Sequence, residues 1–511
     1  LNNRLFSRII FLVVITGICS LSFVFQSCEQ DFVTPGLSTT YPDDIAAIFN
    51  QPLNASNITC ASPTCHGGNA PLSGLSLEDW SKTMQGSENG TNIIPYNAYW
   101  SYFASVLNND TTNTQIASVT EIALPEYHKI DTAQLQTIVN WINNGAPSKS
   151  GEIAFSNLTN KTFIGNQADD KIAILNNDPN SLLVTRMIPV GTRPAPDQLD
   201  SPHYLEINPD RTHLFVSLIV EGTVEKYDVN VDYPFPTAGR INAGSSPAHI
   251  VISPDGTKAF VTNFNASVGG VTKFNPITMS QSEVQTIDNV RFRGTHGMDI
   301  DDAGNYIYVT SQVSEFLFRI NIQGSNFEIQ DFVPVDPSVP PNGNGTGNFR
   351  PYQVRISPDE QFIYVSCNGP AQNNNNDVVK VFRTSDLSFV KDITVGNNPI
   401  LMEFTPDGRY LFVCDKNKNA SGKYTVSIID AASQSLIYTV FDAGIQPHGV
   451  AFTPGGEYAI ISCETLEGFD GHHPTVGTNN IGVSRVIRVS DFALLDIRIQ
   501  MGSFPSGIVT Y

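Results

Sequence analysis

The stretch Cys60-Ala-Ser-Pro-Thr-Cys65-His66-Gly67-Gly68 separates two thiols by four residues and sets an imidazole directly after the second. Those are the parts needed to attach a porphyrin covalently: two sulfurs add to its vinyl groups and the histidine ligates the iron beneath. The usual arrangement leaves two residues between the cysteines. Here there are four, and Pro63 helps fold the longer loop. The same residues can instead close a disulfide loop between Cys60 and Cys65. Zinc is a poorer reading, because too few further ligands lie nearby.

The elements around this stretch read as short helices. Asp131 can cap a helix whose apolar residues Leu135, Ile138, Val139 and Ile142 fall on one face, with Gly145 and Pro147 stopping it. Shorter helical patterns precede it at Pro42–Gln51, Ser76–Met84 and Tyr99–Leu107. A helix, the Cys-x4-Cys-His stretch, further helices and a closing Trp-Ile-Asn-Asn-Gly-Ala-Pro, in that order over residues 42–147, resemble a small all-α cytochrome c domain. The resemblance implies one haem c bound through Cys60 and Cys65, with His66 as proximal ligand. Where similar domains carry a Met-Pro pair, this chain has Leu124-Pro125, and leucine cannot ligate iron. The sixth ligand is then expected to be His128, or more weakly Met84, or the position stays open.

From residue 201 onward the chain repeats. Ser-Pro-Asp-Gly-type turns follow short apolar strands, and each unit restarts at Pro202, Pro247, Thr295, Pro351, Pro399, Pro447 and finally Pro505. Proline fixes φ in such turns and glycine or aspartate accepts positive φ. Four strands per unit at this period predict the blades of a β-propeller. Stretches such as "SPDGTKAFVTNF" resemble the YVTN family of propellers over about residues 155–511. The last unit holds only a first strand, and residues 161–190 read as its three missing partners. The expected fold is therefore mainly β: a seven-bladed propeller closed by the C-terminal strand, preceded by the helical domain. Longer insertions at 335–349 and 465–482 are expected to form loops on one rim.

The register also aligns histidines. His203, His296 and His448 occupy the second position of their inner strands and His249 the third. They are candidates for a metal or second-cofactor site near the channel mouth, or for hydrogen bonds that tie strand ends. His472 and His473 sit together in a long insertion and read as solvated.

At the N-terminus, Arg4 and Arg8 precede an apolar run that ends at Ser27-Cys28. This resembles a bacterial lipoprotein signal (residues 1–28) with Cys28 as the lipidated residue, followed by an acidic tether over 29–41. Residues 148–160 read as a linker and 161–511 as the propeller. A net charge of -20 excludes roles that depend on neutralising phosphates, so no nucleic-acid partner is expected. Past the leader five cysteines remain, an odd number; Cys367, Cys414 and Cys463 end apolar runs and read as buried hydrophobes.

Taken together, these features lead to the expectation of an exported electron-transfer lipoprotein at the outer membrane or cell surface. It would carry one covalent haem, with the propeller as a scaffold for a redox partner presenting a basic docking face. Two alternatives stand beside it. One is an oxidoreductase with a substrate or second-cofactor site in the propeller channel; the other is a surface binding propeller with a Cys60–Cys65 disulfide and no haem.

Overall fold

The computed structural model describes residues 40–511 apart from 54–57, 89, 109, 111–112, 118–127, 129, 179–180, 194–197, 286–287, 289, 325–326, 341, 344, 346, 370–376, 466–473 and 475–480. Cys28 with the leader, Leu124-Pro125, and the pair His472 and His473 lie outside the described residues.

Seven four-stranded antiparallel sheets run from Lys161 to Thr510. Six take their strands in simple chain order, and their inner strands begin at Pro202, Pro247, Thr295, Pro351, Pro399 and Pro447, the residues that set the sequence register. The seventh combines Lys161–Asn166, Lys171–Asn176 and Leu183–Pro189 with the C-terminal strand Pro505–Thr510 as its inner member. We call this blade 1 and number the others in chain order. The fold is the expected mainly β, seven-bladed propeller.

A repeated hydroxyl ties a blade to the next in five of the seven. Every inner strand is bulged at its second or third residue, which takes a backbone N–H out of the ladder. In blade 3 the Thr262 hydroxyl accepts from the His249 N–H at 3.0 Å and donates to the His296 carbonyl of blade 4 at 2.6 Å. Ser217, Thr310, Ser366 and Ser462 repeat the arrangement, donating to the carbonyls of Ala248, Tyr352, Ile400 and Ser506. This is the physical content of the Thr in the Val-Thr-Asn motif. Blade 6 has Cys414 there instead, and it is buried. The strand-linking turns also follow their sequence: Ser253 Oγ donates to Asp255 Oδ1 at 2.6 Å, and Gly256 takes a φ of 69°.

Apolar faces of adjacent blades interlock to form the core, for example Phe260, Phe292, Phe316 and Phe318 between blades 3 and 4. Cys367, Cys414 and Cys463 are buried within such clusters.

Residues 40–147 carry four α-helices among the described residues: α1 Asp43–Phe49, α2 Trp80–Met84, α3 Tyr102–Leu107 and α4 Thr132–Asn143. Asp131 and Gln134 form a reciprocal capping box that starts α4, which buries Leu135, Ile138, Val139 and Ile142. Tyr41, Phe49, Phe103 and Trp141 pack edge to face between the helices. This segment belongs to one compact unit with the propeller, Ser38–Tyr511. Ile94, Trp100 and Ala117 join a core cluster with Ile164, Ala173 and Met187 of blade 1. Tyr96 stacks on Tyr233 of blade 2 with ring centroids 4.0 Å apart. Residues 148–160, read as a linker, run in turns against the same surface, where Arg186 donates to the Ala154 carbonyl and pairs with Asp232.

Candidate active site

The fifth residue of every inner strand lines one pocket of about 500 Å³ at one end of the channel: Glu206, Val251, Asp299, Arg355, Glu403, Ala451 and Val509. A strand in a buried hub is expected to be apolar there, so four ionisable residues at one register position mark a built site. Arg355 Nη2 lies 2.8 Å from Glu403 Oε2 and donates to Tyr204 Oη at 3.0 Å, while Nη1 is 3.9 Å from Asp299 Oδ1. Asp299 Oδ2 accepts from the Ile356 N–H at 2.8 Å.

Crowding by protein desolvates these groups even though the pocket opens onto them. It pushes Glu206 up to about 8, against the pull of Arg355 and helped by the charges of Asp299 and Glu403. Asp299 is raised less, to about 6, because Arg355 and the Ile356 N–H favour its anion. Both carboxyls are thus raised, Glu206 further than Asp299. Tyr204 is raised to about 12 by burial.

The histidines lie on the same strands, at the second and third positions. His203, His249 and His296 come from neighbouring blades 2, 3 and 4 and present ligand atoms within 4.8 Å of one another. They are enclosed in the channel, 0 to 2% exposed, where the sequence placed them near its mouth. The reason is aromatic cover: Tyr204 stacks on His249 at 4.2 Å and Tyr352 packs on His296 at 4.1 Å. His448 of blade 7 is 6.5 Å from His203 by ring centroid, and its Nε2 lies 3.6 Å from Glu464, which pairs with Lys416. Burial holds His249 and His296 well below the usual histidine range, so both are neutral imidazoles.

In the helical segment a cleft of about 180 Å³ is lined by Cys60, His66 and His128 together with Phe49, Leu75, Leu77, Phe103, Leu107 and Ile138. The rings of His66 and His128 face each other with centroids 6.1 Å apart. His66 Nδ1 lies 3.2 Å from the Leu72 carbonyl. The loop is tight: a Cβ on Gly67 would sit 2.1 Å from the Ala61 carbonyl oxygen. Cys60 and Cys65 are free thiols with no bond between them, each partly exposed. Met84 is buried in α2 and is not part of the cleft lining.

Sequence reasoning missed Glu206, Asp299, Arg355, Glu403 and Tyr204. The signal was present, since the repeat alignment already set the first four in one column. A charged residue in an inner strand is costly and needs a reason.

The chain is a seven-bladed propeller with a cluster of ionisable side chains at one end of its channel. Residues 153–344 and 297–444 match the family described as "Lactonase, 7-bladed beta-propeller". The two matches together span more than half of the chain, and the chain belongs to that family. A 6-phosphogluconolactonase of Erwinia tasmaniensis is 22% identical over 294 residues, covering 55% of this chain and 80% of the relative. One of Cronobacter sakazakii is 23% identical over 303 residues, covering 57% and 86%. Among solved structures, a putative 6-phosphogluconolactonase of Bacteroides fragilis superimposes with a TM-score of 0.53 at 14% identity over 70% of this chain and 100% of its own. A periplasmic gluconolactonase of Pseudomonas aeruginosa gives 0.52 at 17% identity, covering 69% and 98%. At those identities the structures show the fold alone. These relatives correct the expectation of a haem electron-transfer protein: they point to a lactonase or other hydrolase, and favour the alternative of an enzyme with its site in the channel. The short cysteine motif outweighed the propeller in the sequence reading because the channel residues vary from blade to blade and form no motif.

Proposed function

We propose that the chain is a hydrolase that opens lactones at the charged end of its channel. The observation that carries this reading is that Asp299 and Glu206 face one pocket with Arg355 and have their acidities pushed apart. Two carboxyls so divided supply a base and an acid at the same pH. Asp299 takes a proton from water as the water oxygen bonds to the lactone carbonyl carbon. Arg355 meets the negative charge that gathers on the carbonyl oxygen. The ring C–O bond then breaks, the departing alkoxide takes the Glu206 proton, and a hydroxy acid leaves. The pocket sets Glu206, Asp299 and Glu403 against Arg355 and Arg211. That balance suits a neutral, hydroxyl-rich lactone better than a phosphorylated one.

The test is pH-stat hydrolysis of glucono-δ-lactone and its 6-phosphate by the full chain. Acceleration over the spontaneous rate, lowered by about 100-fold or more in Asp299→Asn, supports the reading. No acceleration of either lactone, or an unchanged rate in Asp299→Asn and Glu206→Gln, overturns it.

The helical cleft supports a second reading. We propose that Cys60 and Cys65 would hold haem c, with His66 and His128 as the residues that would ligate its iron. Its support is the facing pair of imidazoles, whose 6.1 Å separation leaves room for one ligated metal, beside an apolar wall and two free thiols. When bound, such a group supplies redox chemistry, and the enzyme would then be the oxidoreductase alternative with its substrate in the channel. A pyridine haemochrome spectrum of protein made in a host competent for cytochrome c maturation tests it. Covalent haem lost in Cys60→Ala/Cys65→Ala supports it, and its absence from wild type discards it. Export and lipidation at Cys28 are proposed on the leader sequence alone, and incorporation of a labelled acyl chain that Cys28→Ala abolishes is the corresponding measurement.

A further inference from the structure

We propose that His203, His249 and His296 form a binding site for a divalent transition metal of the zinc class, enclosed in the channel beneath Tyr204. This does not rest on the hydrolase reading. The donor atoms of the three rings already lie within 4.8 Å of one another. A tetrahedral zinc with Zn–N of about 2.0 Å holds its nitrogens roughly 3.3 Å apart, so modest ring rotations close the set around an ion.

His249 provides the second observation. It is fully buried and neither ring nitrogen has a hydrogen-bond partner. A buried imidazole that serves only packing is expected to hydrogen-bond at least one nitrogen. An ion in the cluster would use one of these nitrogens as its ligand.

Backbone geometry aims the set. The histidines sit in the inner-strand bulges, and the extra residue in each bulge lets either the second position, as in His203 and His296, or the third, as in His249, turn into the channel. Thr262 fixes two of them at once, through the His249 N–H and the His296 carbonyl. The outer contacts suit ligation as well. His296 Nδ1 lies 3.2 Å from the Tyr352 carbonyl, which orients that ring. All-imidazole donors suit zinc, copper or nickel rather than magnesium or calcium.

The experiment strips the full chain with a chelator, restores Zn²⁺, and counts the metal retained after gel filtration. A single Zn²⁺ per chain is expected in wild type and in His66→Gln. It is expected to be lost in His249→Gln and in His203→Asn, with metal-free melting of each variant recorded to confirm folding. Co²⁺ in its place should show visible d–d bands without the thiolate charge transfer that Cys60 or Cys65 would add. Folded wild type that retains no metal, retention in both channel variants, or loss in His66→Gln would each overturn the proposal.

Discussion

Arg355 of blade 5 donates across the channel to the phenol of Tyr204 in blade 2, 151 residues away in sequence, at 3.0 Å. Tyr204 in turn stacks on His249. One side chain therefore forms both the floor of the charged pocket and the roof of the histidine cluster. Neither role is visible in its own repeat, where the same position elsewhere holds histidine, glycine, glutamine or leucine.

The acid–base pair sets a pH profile. Asp299 must be ionised and Glu206 protonated, so lactone hydrolysis should plateau between about 6 and about 8 and fall on both sides. Initial rates across that range check it. Glu206→Gln should lower the plateau and abolish the alkaline fall.

The same burial bears on stability. Glu206 is raised from 4.5 to about 8, and buried Asp169 and Asp415 from 3.8 to about 7. Groups raised on folding contribute most below their unfolded values, and that contribution is lost as pH rises through the folded ones. Thermal melting should therefore weaken between about pH 5 and about pH 9, and Asp415→Asn should flatten the slope. A melting temperature that rises over that range would contradict this.

Thr262→Val removes a hydroxyl that serves a bulge N–H on one side and a neighbouring blade's carbonyl on the other. Two buried backbone groups lose their partner, and a loss of about 1–3 kcal/mol in denaturant unfolding is expected. The same substitution should reduce Zn²⁺ retention, because it frees the backbone of both His249 and His296.

Tyr96→Ala removes the stack on Tyr233 that joins helical segment to propeller. An aromatic pair of this kind contributes about 0.5–1.5 kcal/mol beyond its buried area. Global melting should change little, while limited proteolysis between residues 40 and 147 should accelerate.

The blade count, the closing strand and the four helices were all legible in the sequence. Repeats restate the same strand and turn chemistry seven times, and Asp131 with Gln134 spells out a helix start. The histidines were legible as candidates for a metal or second-cofactor site, but not the way in which three of them come together. The bulge that lets His249 meet His203 and His296 from one position further along is a backbone irregularity that strand periodicity does not announce. The charged pocket was overlooked for a related cause. Glu206, Asp299, Arg355 and Glu403 are single exceptions in four separate repeats, and only closure of the ring makes them neighbours.

The strand that completes blade 1 also fixes an order of events. Its partners Lys161–Asn166, Lys171–Asn176 and Leu183–Pro189 are made well before Pro505–Thr510, since Thr162 and Thr510 are 348 residues apart in sequence. Until then Lys161–Asn166 presents an unpaired strand edge of the kind that invites association with other chains. The ring cannot shut until Pro505–Thr510 has been made, and only then can Thr162 and Thr510, whose hydroxyl oxygens end 3.0 Å apart, meet. A holdase that covers the open edge of blade 1 until that point would therefore raise the yield of this protein.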